Sequence, residues 1–286
     1  GNMEITDDGM MISYGSDELD GGSYWGEGIP KANSGGLHYE NKWNGDKESI
    51  NTNYKAGALN VKTNKNTLNQ NNLPTGIINT NSNNITESDM FRQKIDATYN
   101  IKLDTSSNLK VVVDGTLKNT ENESNFGSTA LRGDNSLLNT SKRLTSNKGK
   151  QQFFNLNALY TRKLKKPGRN YSLNLTNAYT NNNSDGLLQS NNNLYHENGM
   201  STRNEIIDQL KENDVTTNRL ATNFTFTEPM SKFFSLVANY GLSFTSNDSH
   251  RRAFDASAPN VYNQLNPEFS NHFEADQLIN QLAAAF

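Results

Sequence analysis

The 286 residues contain no cysteine, which excludes disulfide frameworks, thiolate metal sites and a lipoprotein anchor within this segment. It contains six prolines, two tryptophans and only 33% hydrophobic residues, and its mean hydropathy is −0.81. A water-soluble globule of this composition would have little apolar surface from which to build a core. No run approaches 18 consecutive apolar residues, so no transmembrane helix is encoded, and no basic-plus-apolar leader opens the chain. The formal net charge is −3 with both signs scattered, which gives no basic footprint for nucleic acid. Neither a nucleophile elbow nor paired carboxylates at catalytic spacing can be found, so the chain is read as a non-enzyme with no cofactor. His38, His196, His250 and His272 are far apart in sequence and offer no metal-ligand spacing. The acidic group Asp7, Asp8, Asp17, Glu18 and Asp20 lacks EF-hand spacing and reads as a solvated linker. The glycines between 21 and 28 follow no strand and open no helix, which argues against a phosphate-cradling loop.

What is present is Asn, Ser and Thr in quantity, crossed by a two-residue alternation. Leu236, Ala238, Tyr240, Leu242 and Phe244 alternate with Ser235, Val237, Asn239, Gly241 and Ser243. Ile95, Ala97, Tyr99, Ile101 and Leu103 alternate with Asp96, Thr98, Asn100 and Lys102, and Phe154, Leu156, Ala158 and Tyr160 with Asn155, Asn157 and Thr161. Tyr171, Leu173, Leu175 and Leu220, Phe224, Phe226 repeat the pattern. The runs come in pairs joined by short turns: Asn44-Gly45-Asp46-Lys47, Asp104-Thr105-Ser106-Ser107, Lys165-Lys166-Pro167-Gly168-Arg169 and Glu228-Pro229-Met230-Ser231-Lys232. The turn centres recur at roughly sixty residues, an architectural period without sequence repetition. Residues 63–88, 119–148, 181–204 and 246–274 are Asn/Ser/Gly-rich and are expected to be long connections, with a short helix over 206–212.

Short turns at one end, long connections at the other and strands of ten or more residues make the expected fold all-β: an antiparallel up-and-down meander of long hairpins, part of a transmembrane barrel. Residues 1–32 read as a Gly/Asp-rich linker and 33–286 as a partial barrel of about eight strands plus the start of a ninth. Because Leu278, Leu282, Ala284 and Phe286 begin another alternating run, and eight strands with part of a ninth do not close an even-numbered barrel, the native protein is expected to continue past Phe286. In a barrel the apolar face meets lipid, and Asp96, Asn100, Asn155, Asn157, Asn239 and Ser243 face a wet lumen. In a soluble sandwich or solenoid that binds or adheres at a surface, the apolar faces would meet each other, and periodicity alone does not separate the two. His250, Arg251 and Arg252, on an expected long loop, are candidates for contact with an anionic ligand, since Arg forks match phosphate oxygens.

The run from Gln152 through Phe153, Phe154, Asn155, Leu156 and Tyr160 to Lys166-Pro167-Gly168-Arg169, followed by Tyr171-Ser172-Leu173-Asn174-Leu175, together with Phe224-Thr225-Phe226-Thr227-Glu228-Pro229, resembles the large outer-membrane β-barrel proteins of Bacteroidetes related to the TonB-dependent receptors. The likeness extends loosely over residues 33 to 286. It implies a cell outer-membrane location in a Gram-negative bacterium, a transport or receptor role and outer-membrane lipid as a partner. It also implies an extracellular ligand that is a glycan, peptide or metal chelate, and a TonB-type energy-coupling partner acting through a plug outside this sequence.

Overall fold

The computed structural model describes residues 26–285 and the backbone of two short strands, β1 (Asn2–Thr6) and β2 (Gly9–Ser13), which pair with each other antiparallel. The acidic residues Asp7, Asp8, Asp17, Glu18 and Asp20, and most of the glycine-rich stretch, lie outside the described residues or their described side chains. From β3 (Ile29–Trp43) onward every strand pairs with the next: β4 (Glu48–Leu73), β5 (Gly76–Lys102), β6 (Ser107–Arg132), β7 (Leu137–Lys163), β8 (Asn170–Tyr195), β9 (Ser201–Pro229) and β10 (Ser235–Ala258). The far edge of β10 is covered by β11 (Val261–Leu265) and β12 (Asn271–Ala285), which run in line and are separated by residues 266–270. The protein is thus an all-β antiparallel meander of long strands, and the sheet is open, with β3 at one edge and β11 and β12 at the other.

The short turns are those the sequence marks. Asn44, Gly45 and Asp46 all have positive φ, which Asn, Gly and Asp tolerate at least cost, and Gly168 (φ 82°) closes the Pro167 turn. Glu228 ties two neighbouring turns together. Lys166 Nζ and Arg169 Nη2 donate to its carboxylate at 2.6 and 2.8 Å, while Lys166 also reaches the carbonyl of Pro229. These two cations hold the Glu228 carboxyl down to about 2.

The other ends of the hairpins differ from expectation. The stretches 63–88, 119–148, 181–204 and 246–274 are not loops, because the strands run on through them, 24 to 29 residues long from β4 to β10. The ladder continues to tips at 74–75, 133–136, 196–200 and 259–260, with register shifts only beside the last three, at Ala130/Leu131, Leu194/Tyr195 and around Ala256. Residues 206–212, expected to be helical, lie within β9. Hydropathy hides these extensions because both of their faces are mostly polar, with apolar residues such as Leu68, Ile85 and Leu144 too scattered to make an alternation. Their pairing rests on the backbone ladder and on cross-strand amide and hydroxyl bonds, such as Ser141 Oγ to Asn192 Oδ1 at 2.6 Å and Asn181 Nδ2 to Thr216 Oγ1 at 2.8 Å.

Candidate functional site

Directly opposed residues in an antiparallel ladder project to the same side, so the register assigns every side chain to one of two faces. The row His38, Asn53, Asp96, Asp114, Asn155, Ala178, Arg219, Thr245 crosses eight strands on one of them. This polar face carries all six predicted residues: Asp96, Asn100, Asn155, Asn157, Asn239 and Ser243. Side-chain bonds knit it across strands. Asn53 Nδ2 donates to Asp96 at 2.7 Å, Asn155 Nδ2 to Asp114 at 3.0 Å and Thr225 Oγ1 to Asn239 Oδ1 at 2.6 Å.

The polar face is also the hollow one. A cavity of about 210 Å³ is lined by Asn174, Thr176, Arg219, Asn223, Ser243 and Gln281, and one of about 440 Å³ has Leu59, Val61, Lys65, Asn84, Met90 and Lys118 in its wall. Leu59 and Val61, 7% and 6% exposed, are the most buried large apolar side chains among the described residues and lie here under Met90. The amide oxygen of Asn174 is buried beside the smaller cavity without a hydrogen-bond partner.

The opposite face carries its large apolar side chains outward: Leu282 is 83% exposed, and Leu278, Tyr240, Leu173, Phe154 and Leu37 all lie open. These side chains form a bounded band. In β10 it runs from Leu236 to Phe244 and gives way to Ser246 and Asp248; in β5 it runs from Ile101 to Phe91 and gives way to Asp89 and Glu87. The band is therefore 9 to 11 residues tall, and aromatic rings mark its rims. Trp43 and Tyr99 (6.2 Å between centroids) and Tyr160 and Tyr171 (6.0 Å) sit toward the short turns; Phe91, Phe154, Tyr179 and Phe244 line the opposite boundary. At the short-turn rim Trp43 Nε1 and the Tyr99 hydroxyl both donate to Glu48 Oε2, at 2.6 and 2.8 Å.

The band is also slanted against the ladder. Following the pairing from Phe91 passes through Asn119, Lys150, Asn183 and Asp214 and arrives at His250, six residues beyond Phe244 after five strands. With a rise of ~3.4 Å per residue and a strand spacing of ~4.8 Å, that offset makes the strands lean by ~40° from the perpendicular to the band.

The three residues expected to meet a ligand on a loop lie instead within a paired strand. His250, Arg251 and Arg252 are consecutive residues inside β10, so their side chains alternate between faces. Arg251 joins the polar face opposite Asn213, whereas Arg252 pairs with Glu212 at 2.8 Å on the banded side. The pairing of β10 with β12 instead brings together residues that are remote in sequence. His250 lies opposite His272, their rings stacked at 3.7 Å, and the Nε2 atoms stand 3.3 and 3.1 Å from Asp248 Oδ1. His272 also reaches Glu274 at 3.2 Å. Two imidazoles and a carboxylate whose donor atoms all lie within 4.8 Å could hold a divalent cation after small shifts. Separation along the chain concealed the group, since only the β10–β12 register reveals it. His38 instead bonds Asn53 at 2.7 Å, and His196 closes a hairpin tip through a backbone bond to Met200.

Comparison of the chain with family models, curated proteins and solved structures returns no match, so the residues and their register carry the functional argument alone.

Proposed function

We propose that this chain is wall from a transmembrane β-barrel of a Gram-negative outer membrane, with the banded face toward lipid and the polar face toward a wet lumen that passes or receives polar solutes. The observation that carries the reading is the bounded apolar band. Nine to 11 residues at a lean of ~40° give a height of ~25 Å, the thickness of the hydrocarbon that such barrels cross. Aromatic rows at both rims are where amphipathic rings settle in a bilayer. A two-sheet sandwich would need a partner sheet over the band, and from β3 onward the described strands form one sheet only. An apolar surface this extensive would otherwise promote association in water.

Above the band β5 continues for 15 residues to Gly76, so the strands would stand ~40 Å clear of the lipid as a polar collar. The collar meets the cell exterior, and its tips together with the polar face are where an extracellular solute first contacts the protein. The resemblance to the Bacteroidetes barrels supports nutrient uptake as the task, with energy coupling through a TonB-type partner as its extension. Cell fractionation with protease added to intact cells tests the reading. Recovery in the outer membrane, with cuts confined to the tips, is the expected result; recovery as a water-soluble secreted species would overturn it in favour of a binding or adhesion module.

A further inference from the structure

We propose that Asp248, His250 and His272, with Glu274 completing the set, form a binding site for a divalent transition metal of the zinc, nickel and copper class, held between β10 and β12. The site stands on the register of those two strands and holds whether the apolar band meets lipid or another surface.

The pairing lays the four residues out as a rectangle. His250 is directly opposite His272 and Asp248 directly opposite Glu274, and the two members on each strand are two residues apart, so all four side chains leave the same face. Opposed Cβ atoms are ~5 Å apart and alternate residues of one strand ~7 Å, a span that imidazole and carboxylate side chains close from its corners. The Nε2 atoms of His250 and His272 stand 3.3 and 3.1 Å from Asp248 Oδ1, and His272 Nε2 is 3.2 Å from Glu274 Oε1. Ligands at ~2.0–2.2 Å from a tetrahedral ion are ~3.3–3.6 Å from one another, so these donors already have nearly the spacing of a coordination shell. Ligation adds a splaying of the stacked rings about χ2, a soft torsion in His, and both imidazoles are half exposed and free to make it.

The donor set fixes the class of metal. Imidazole nitrogens suit zinc, nickel and copper, whereas calcium and magnesium take six or more oxygen ligands, which two carboxylates and two imidazoles do not supply. The surroundings suit a dication. On the banded face Asp214 lies opposite His250 and Asp276 two residues beyond Glu274; among the described residues of β9, β10 and β12 the one Lys or Arg on that face is Arg252, engaged by Glu212 at 2.8 Å. Where carboxylates oppose each other elsewhere on this face, as Glu87 does Glu123 and Asp89 does Glu121, lysines reach them: Lys62 meets Glu87 and Lys148 meets Glu121, both at 2.6 Å. Beside Asp248 and Glu274 imidazoles take that place, and an imidazole can ligate a metal where an ammonium cannot. The cluster begins beyond Phe244, clear of the apolar band, so ions in the surrounding water reach it.

The test uses zinc and copper themselves. The chain has four histidines and no cysteine, so His38→Gln with His196→Gln leaves His250 and His272 as its only imidazoles. Zinc is titrated by calorimetry into the full-length protein, stripped of metal with chelator and free of any affinity tag. Binding should saturate, survive the His38 and His196 changes, and resist displacement by calcium. His250→Gln and His272→Gln should each weaken it by at least about tenfold, and Asp248→Asn and Glu274→Gln should act in the same direction. Copper(II) bound to the His38→Gln, His196→Gln protein should show two imidazole nitrogens in its electron spin resonance spectrum; this second readout leaves every proposed ligand in place, so it decides the matter even where a ligand variant fails to fold. Zinc binding that ignores the His250 and His272 changes, displacement by calcium, or a copper spectrum with fewer than two imidazole nitrogens would overturn the proposal. None of these readouts depends on what covers the band, so the metal site and the barrel reading fail separately.

Discussion

Val112 and Val113 offer a test in which residue type, strand and height are held constant and only the face changes. Val113 sits mid-band between Ala97 and Leu156; Val112 lies on the polar face between Thr98 and Asn157. If the band meets lipid, Val113→Arg puts a guanidinium at the bilayer midplane and should cost about 2–4 kcal/mol, a ~30- to 1,000-fold loss in the folding equilibrium. Val112→Arg enters water and should cost under about 0.5 kcal/mol. Depth supplies a second axis: Leu109→Arg and Leu117→Arg, at the two rims of the band in β6, should each cost about 0–1 kcal/mol because the side chain can reach the interface. Equilibrium denaturation in vesicles, followed by tryptophan emission and by band shift on unheated gels, gives all four values. Equal costs at Val112 and Val113 would refute the facing. A cost that follows local packing rather than distance from mid-band would refute lipid as the medium.

The Glu228 clamp predicts a pH dependence. Its carboxyl is held at about 2 by Arg169 and Lys166, below its ordinary value of 4.5, so the stabilisation is complete above that ordinary value and is lost as pH falls through about 2. The denaturation midpoints of the native protein and of Glu228→Gln should therefore differ at neutral pH and converge near pH 2; a constant gap would sink the assignment. Gly168→Ala forces a side chain into a positive-φ turn with a Pro229 ring carbon 3.3 Å from the new Cβ, and should cost about 1–2 kcal/mol, read from the same midpoints. Protease on intact cells should cut at 133–136, 196–200 and 259–260 and spare residue 145, because that residue is inside a paired strand; cleavage at 145 would show that the extensions are open loops.

The lower half of the molecule was legible because its two faces differ. Leu236 through Phe244 against Ser235 through Ser243 announces a strand, and Asn44-Gly45-Asp46 or Lys166-Pro167-Gly168 announces its turn. The same parity assigned Asp96, Asn100, Asn155, Asn157, Asn239 and Ser243 to one face. The upper half was illegible because stretches such as 145–151 and 181–186 carry no large apolar side chain on either face, and the ladder that orders them leaves no trace in hydropathy. The histidine cluster was hidden for a different reason. That His250 stacks on His272, or that Asp248 opposes Glu274, depends on register between strands, and no pattern within one strand encodes it.

The collar's indifference to side-chain identity has a further consequence. Apart from a few buried positions such as Ala130, Gln209 and Ala253, its side chains are at least partly open, so most substitutions among its Asn, Ser, Thr, Lys and Asp residues should be nearly neutral for folding. The apolar band and the short turns have no such latitude. If the strands stand outside the cell as proposed, a base that tolerates little change carries an extension that tolerates much, so the exposed surface can vary in what it presents while the wall beneath keeps its shape.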